Sequence, residues 1–107
     1  MDTAHAFAYG YNLANKRGLD KTLSEFDKII GLEKLKLMHL NDSKSSCGSH
    51  LDRHENIGEG HMGLLAFKNI VNHPKIKHLP AILETPGFKE KSVDKRNLDI
   101  VKKLVVN

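Results

Sequence analysis

Apolar residues along this chain occur in two kinds of pattern. Short, mostly apolar runs at 35–40 and 79–83 are typical of buried strands. Apolar residues at helical spacing fill the stretches 23–30, 63–71 and 98–105 instead. The pattern predicts the order helix, strand, helix, strand, helix.

Residues at the ends of these stretches predict where the helices begin and end. Asp20 or Thr22 can cap the first helix, and Gly31 can end it. Ser92 or Asp94 can cap the last helix. Each predicted strand therefore stands between two helices.

This alternation indicates an α/β fold with parallel strands and crossover helices, and we expect a (β/α)8 TIM barrel. Two strands cannot close such a barrel, and the chain opens at Asp2 and His5 with no strand before them. We therefore expect residues 1–107 to be the C-terminal part of a single TIM-barrel domain. The expected portion is about the last two to three βα units, with the N-terminal strands absent.

Composition narrows the class of protein. Hydrophobic residues make up 39% and charged residues 28% of the 107 positions, which is typical of a soluble globular chain. No apolar run approaches the roughly 20 residues that span a bilayer, and no signal peptide is visible at the N-terminus. The lone Cys47 excludes an internal disulfide and indicates a reducing compartment, so we expect a cytoplasmic protein with no membrane contact.

The net charge of +4 suits a polyanionic partner, although a lysine-rich solvated surface explains it equally well. Tryptophan is absent and aromatic residues make up only 6% of the chain. A stacking surface for single-stranded nucleic acid is therefore not indicated.

Carboxylates and imidazoles follow the predicted strands, in groups that suit metal binding. The candidates are Asp2 and His5; His39, Asp52 and His54; and Glu84. Oxygen and imidazole donors without a thiolate set suit zinc or manganese. Each residue also has a simpler explanation, such as a hydrogen-bonded strand end, a loop salt bridge or a turn cap. Their co-occurrence at one predicted sheet edge favours more than one metal ion.

The remaining histidines have less support. His73 and His78 flank Pro74 and a basic stretch, which predicts surface positions for both, and His50 has no supporting pattern. His61 lies in a glycine-rich turn near the candidate site, where its side chain could support one of the metal-binding residues. Within that turn, residues 58–60 (GEG) give a weak phosphate-loop signal, and a tight turn is the favoured interpretation.

Five motifs together carry a resemblance to a known family. They are 2–7 (DTAHAF), 39–44 (HLNDSK), 52–54 (DRH), 58–60 (GEG) and 82–86 (ILETP). In this order and spacing they resemble endonuclease IV, the three-zinc TIM-barrel family of apurinic/apyrimidinic endonucleases. The resemblance covers essentially the whole chain.

The resemblance implies roles for particular residues. One zinc ion would be bound by Asp2, His39 and Glu84, and another by His5, Asp52 and His54. A third zinc ion and a bridging glutamate would need two histidines and a glutamate on earlier strands, which these 107 residues do not contain. Ser43, Lys44 and Arg53 are the candidate contacts to the DNA backbone, which position an enzyme without reading sequence.

The implied reaction is zinc-dependent hydrolysis of the phosphodiester 5′ to an abasic site during base excision repair, leaving a 3′-hydroxyl. The partner would be double-stranded DNA with abasic sites, where rotating the nucleotide out of the duplex costs least. A xylose-isomerase-like sugar isomerase or epimerase is the enzymatic alternative, although it has no need of His5 or of residues 52–54. The other alternative is a non-catalytic metal-binding fragment that associates with a complementary N-terminal fragment. We expect little or no nuclease activity from this chain alone.

Overall fold

The computed structural model describes residues 1–86 and 93–106, with side chains for 1–86 and 95–106. The helices are α1 (Thr3–Ala8), α2 (Lys16–Ile29), α3 (Leu64–Asn72) and α4 (Val93–Leu104), with a 3-10 turn at Leu32–Lys34. The strands are β1 (Met38–His39), β2 (Asp42–Ser43), β3 (His54–Glu55) and β4 (Ala81–Ile82). Helix α1 was not predicted from the sequence; from α2 onward, helices and parallel strands alternate as the apolar pattern predicts.

The parallel sheet places three chain segments side by side. Strand β1 pairs with β4 in parallel, with Met38 opposite Ala81 and His39 opposite Ile82. On its other side, His39 forms a parallel bridge to Asp2. The segment at Asp2 is thus a strand end, as expected, and the carboxyl ends of all three segments meet at one edge.

A second pairing was not predicted. Strand β2 pairs antiparallel with β3, with Asp42 opposite Glu55 and Ser43 opposite His54. The polar loop between them carries no periodicity that would reveal this pairing. Because β2 follows β1 after only two residues, the pairing brings His54 back to the edge where β1 ends.

The predicted start of the helix that ends before Gly31 was wrong. Helix α2 begins before Asp20 and Thr22, because the Asn15 side chain caps it by accepting a hydrogen bond from the Gly18 amide at 2.8 Å. The prediction for Gly31 is confirmed: it follows the helix with a φ of 102°, a conformation that glycine adopts without strain.

The boundary of the last helix is only partly tested. Ser92 lies outside the described residues. Asp94 lies within α4, but its side chain is also outside the described part.

The helices pack against the sheet through a continuous apolar core. Its largest fully buried side chains include Phe67 and Ile70 of α3 and Leu19 and Leu23 of α2. The apolar stripe of α2 is only partly used, since Ile29 at the end of the helix is 78% exposed. Among the described residues, no helix has the length and apolarity that crossing a membrane requires.

Candidate metal centre

Three predicted ligands converge where the parallel segments end. One donor atom each from Asp2, His39 and Glu84 can be chosen so that all three lie within 4.8 Å of one another. The closest pair is His39 Nδ1 and Glu84 Oε1, at 2.5 Å. Parallel pairing produces this cluster, because each residue stands at or just beyond the carboxyl end of its segment.

The other three predicted ligands form a chain of contacts beside this cluster. Nδ1 of His5, on the first turn of α1, lies 2.9 Å from Oδ2 of Asp52. The other Asp52 oxygen lies 3.7 Å from Nε2 of His54. This contact is also the one that the alternative explanation, a loop salt bridge, predicts for Asp52 and His54. Within the described residues, only Asp2, His39 and Glu84 form a group of three mutually close donors.

His54 joins the two sets of ligands. Its Nε2 lies 3.2 Å from Oδ2 of Asp2, and its Nδ1 lies 3.0 Å from the backbone oxygen of Glu84. All six residues singled out from the sequence therefore belong to one connected network. The β2–β3 pairing is what places His54 there.

The cluster of Asp2, His39 and Glu84 fits a zinc ion by donor type and by size. Carboxylate oxygens and imidazole nitrogens are ordinary zinc ligands, at bond lengths of about 2.0–2.2 Å. Neighbouring ligand atoms around a tetrahedral ion at those distances lie about 3.3–3.6 Å apart. The observed donors already lie within 4.8 Å of one another, so only small side-chain movements would complete such an arrangement.

A buried carboxylate that sequence reasoning passed over organises the glycine-rich turn. Asp42 is fully buried, and its side chain accepts hydrogen bonds from five backbone amides. Those amides belong to Ser43 (2.8 Å), Met62 (2.9 Å), Gly58 and Gly60 (3.0 Å each) and Gly63 (3.2 Å). The tight-turn interpretation of residues 58–60 is confirmed, because the amides that could have cradled a phosphate already bind Asp42.

The candidate DNA contacts differ in their access to solvent. Lys44 and Arg53 are exposed and adjacent, since the Lys44 amide donates to the Arg53 carbonyl at 3.0 Å. Ser43 is fully buried, and its hydroxyl donates to the Ser45 carbonyl at 2.8 Å. Its hydroxyl is therefore not presented to a phosphate, contrary to expectation.

Among the other histidines, His50, His61 and His78 are exposed, which agrees with the surface prediction for His78. The surface prediction for His73 was wrong. This residue is only 8% exposed, and its Nε2 lies 2.7 Å from Oδ1 of Asp20 on α2. The imidazole turns inward at the end of α3, and the basic stretch around it in the sequence gives no sign of that partner.

Comparison with known proteins gives consistent matches over nearly the whole chain. A family model described as "Xylose isomerase-like TIM barrel" matches residues 1–104. A protein named "Endonuclease 4 homolog" from Dictyostelium discoideum is 55% identical over 87 residues, covering 81% of this chain and 16% of its own length. A "Probable endonuclease 4" from Halothermothrix orenii is 52% identical over 100 residues, covering 92% of this chain and 36% of its own length.

The crystal structure of endonuclease IV from Thermus thermophilus superposes on this chain with a TM-score of 0.82 at 34% identity. The match covers 96% of this chain and 36% of that structure. The chain thus spans about a third or less of the length of the proteins it matches.

Proposed function

Since the chain belongs to the xylose isomerase-like TIM-barrel family, on its endonuclease IV branch, we propose that it forms part of a zinc-dependent apurinic/apyrimidinic endonuclease. The proposed reaction is hydrolysis of the phosphodiester 5′ to an abasic site, leaving a 3′-hydroxyl, in base excision repair. The observation that carries this proposal is the network of six metal-type ligands. It includes His5, Asp52 and His54, which a single-metal site does not need.

In this proposal, one zinc ion is held by Asp2, His39 and Glu84 and another by His5, Asp52 and His54. Zinc bound there would neutralise phosphate charge and would lower the pKa of a coordinated water to about 7, so that hydroxide forms near neutral pH. The side chain of His54 holds the two ligand sets together, through its contacts to Asp2 and Asp52. Because His5 and Glu84 are both exposed, a phosphodiester can approach the site from solvent.

The exposed side chains of Lys44 and Arg53 are the proposed contacts to the phosphate backbone of double-stranded DNA. They lie at the β2 and β3 ends of the loop that carries Asp52. Cationic contacts of this kind fix the register of the duplex over the metal site and carry no sequence information. Such contacts suit an enzyme whose substrate is defined by a missing base.

The chain is proposed to be the C-terminal part of a single barrel, completed by earlier βα units. A TIM barrel has eight parallel strands, whereas the described residues contribute three neighbouring parallel segments. An apolar groove of about 500 Å³ beside α1 and α2 includes the exposed Tyr9, Tyr11 and Ile29. At the opposite edge, Ile82 of β4 is also exposed. A complementary N-terminal portion that continues the barrel would cover both surfaces and supply the third zinc site.

The alternative is a sugar isomerase or epimerase, which the family description also accommodates. Asp2, His39 and Glu84 would serve equally as ligands of the single divalent metal of such an enzyme, and they form the group with three mutually close donors in the described part of the chain. The two functions differ in metal stoichiometry and in their need for His5 and Asp52. Activity assays with an aldose and with an abasic duplex therefore distinguish the two functions directly.

A chimera tests the proposed function in a complete barrel. Residues 1–104 would replace the matching segment of the Thermus thermophilus endonuclease IV, which superposes on 96% of this chain. We expect the chimera to bind three zinc ions and to cleave an abasic duplex, leaving 3′ ends that a DNA polymerase extends. A chelator should abolish cleavage, and added zinc should restore it.

Chimeras with Glu84→Gln or with His78→Ala provide the matched comparison. Glu84 belongs to the proposed site, whereas His78 is exposed beyond α3. Glu84→Gln should lose zinc and cleavage, and His78→Ala should keep both. A folded chimera that binds a single metal and isomerises an aldose would contradict the nuclease proposal.

A further inference from the structure

Asn41 lies two residues beyond the end of β1 and is fully buried, and its side chain bonds to two of the residues proposed as metal ligands. Its side-chain oxygen accepts a hydrogen bond from the backbone amide of Glu84 at 2.8 Å. Its side-chain nitrogen points the other way and donates to Oδ1 of Asp2 at 3.5 Å. One carboxamide therefore bridges the segments that carry Asp2 and Glu84.

The backbone amide and carbonyl of Asn41 both bond to Thr3, so they do not compete for the carboxamide of its side chain. The Asn41 amide donates to Oγ1 of Thr3 at 2.9 Å, and the same hydroxyl donates to the Asn41 carbonyl at 2.7 Å. The orientation of the carboxamide is also determined. An oxygen must face the Glu84 amide, which leaves the nitrogen facing the Asp2 carboxylate.

Asn41 also helps to determine which oxygen of Asp2 is available. Oδ1 accepts hydrogen bonds from the amides of Ala4 (3.0 Å) and His5 (3.3 Å) in addition to the Asn41 side chain. Oδ2 accepts none of these three hydrogen bonds and lies beside Nε2 of His54. The three donors therefore hold the carboxylate so that a single oxygen faces the other ligands.

We propose that Asn41 is a positioning residue of the metal site, holding the segments of Asp2 and Glu84 close enough for both residues to bind one zinc ion. This inference rests on the metal site in the proposed function. Partners that orient ligands through hydrogen bonds typically change metal affinity by about 10- to 100-fold when they are removed. Asparagine suits the position because its carboxamide supplies a donor and an acceptor in one plane, without adding charge.

Asn97 provides a matched control within the same chain. It too is a fully buried asparagine with a donor and an acceptor in use: its oxygen accepts from the Ile57 amide at 2.9 Å and its nitrogen donates to Oδ1 of Asn56 at 3.1 Å. It lies on α4 and contacts none of the six ligands through these bonds. Loss of a buried asparagine at either position should lower stability, but only Asn41 should affect zinc.

The test compares Asn41→Leu with Asn97→Leu in the chain of residues 1–107. Leucine keeps the branched shape of asparagine while removing both polar atoms. Zinc affinity is measured by competition with a chromophoric chelator, and stability by thermal unfolding without metal. We expect Asn41→Leu to weaken zinc binding by at least about tenfold and Asn97→Leu to leave it unchanged. Asn41→Asp keeps an oxygen for the Glu84 amide and should bind zinc more tightly than Asn41→Leu.

A measurement on the unsubstituted chain covers the case in which Asn41→Leu does not fold. The carboxamide NMR signals of Asn41 should shift when zinc is added, and those of Asn97 should not. Stationary Asn41 signals, or wild-type zinc affinity in folded Asn41→Leu, would overturn this inference alone. Absence of zinc binding in the unsubstituted chain would overturn the metal site itself and this inference with it.

Discussion

Nε2 of His54 lies 3.2 Å from Oδ2 of Asp2, although 51 residues of chain separate them. Asp2 stands at the edge of the parallel sheet, and His54 reaches it from the antiparallel β3. The contact connects two ligand sets that the sequence indicates separately. Changes at His54 should therefore affect both sets.

Replacing His54 by alanine should remove zinc from the site. The imidazole contacts Asp2 and Asp52 directly. Its loss removes one ligand from the set that includes Asp52, and it removes a contact to Asp2 in the other set. We expect zinc affinity of the chain, and abasic-site cleavage by the chimera, to fall by at least about a hundredfold, beyond what loss of a supporting partner costs. Metal analysis after dialysis measures the first effect. Retention of wild-type zinc content would contradict the ligand assignment.

Replacing His73 by alanine should have the opposite profile. The buried imidazole joins the end of α3 to Asp20 of α2, and neither residue belongs to the proposed ligands. Its loss should reduce the free energy of unfolding by about 1–3 kcal/mol, as is usual when a buried hydrogen bond is broken. Denaturant titration measures this loss, and zinc content should be unchanged. If His73→Ala and His54→Ala lose zinc equally, the separation of structural from ligating histidines fails.

Replacing Gly60 by alanine should disturb the turn around Asp42. A Cβ at this position would lie 2.6 Å from Oδ1 of Asp42 and closer still to the Ser43 carbonyl. We expect this overpacking to lower stability by about 1–3 kcal/mol. Zinc binding should also weaken, because Asp42 belongs to β2, which pairs with the strand that carries His54. Gly48→Ala is the control, because a Cβ there meets nothing within 4 Å and only the backbone conformation resists. Equal effects of the two substitutions on zinc binding would argue against any role of the turn in holding β2 and β3.

Replacing Lys44 or Arg53 by alanine in the chimera should weaken DNA binding without changing metal content. Each proposed phosphate contact contributes about 0.9 to the slope of log affinity against log salt concentration. Either substitution should reduce that slope by about this amount. Lys34→Ala is the control, since this exposed lysine precedes the N-terminal end of β1, whereas the candidate site lies at its C-terminal end. Binding measured at several salt concentrations would refute the assignment if all three variants behaved alike.

Residues 1–107 alone should show little or no cleavage of an abasic duplex. They contribute ligands for only two of the three proposed zinc sites, and the exposed apolar groove beside α2 remains uncovered. Adding the missing βα units, either as a separate fragment or in the chimera, should restore cleavage. Chelator-sensitive cleavage by the unassisted chain at enzymatic rates would contradict this prediction.

The sequence predicted the parts of the structure that depend on local pattern. The apolar run before His39 and the run before Glu84 marked neighbouring strand ends, and the parallel pairing brings both residues into one cluster. The helix from Leu64 to Asn72 lies within one residue of its predicted bounds. These features follow from the spacing of apolar residues alone.

The features that were missed depend on partners distant in sequence. The antiparallel pairing of β2 with β3 joins two-residue strands that have no strand periodicity of their own. Burial of His73 depends on Asp20, which lies on another helix. Asn41 and Asp42 looked like ordinary loop residues, because nothing local shows which distant amides they bind. Such contacts are apparent only once the chain is folded.

The five amides bound by Asp42 also bear on the order in which this region folds. Four of them lie 16–21 residues further along the chain, at Gly58, Gly60, Met62 and Gly63. The cost of closing a loop of that length must be met before any of these bonds contributes. The glycine turn should therefore form late, after β1 has joined the sheet and carried the carboxylate into place. Refolding followed by pulse-labelling hydrogen exchange should show these four amides becoming protected together.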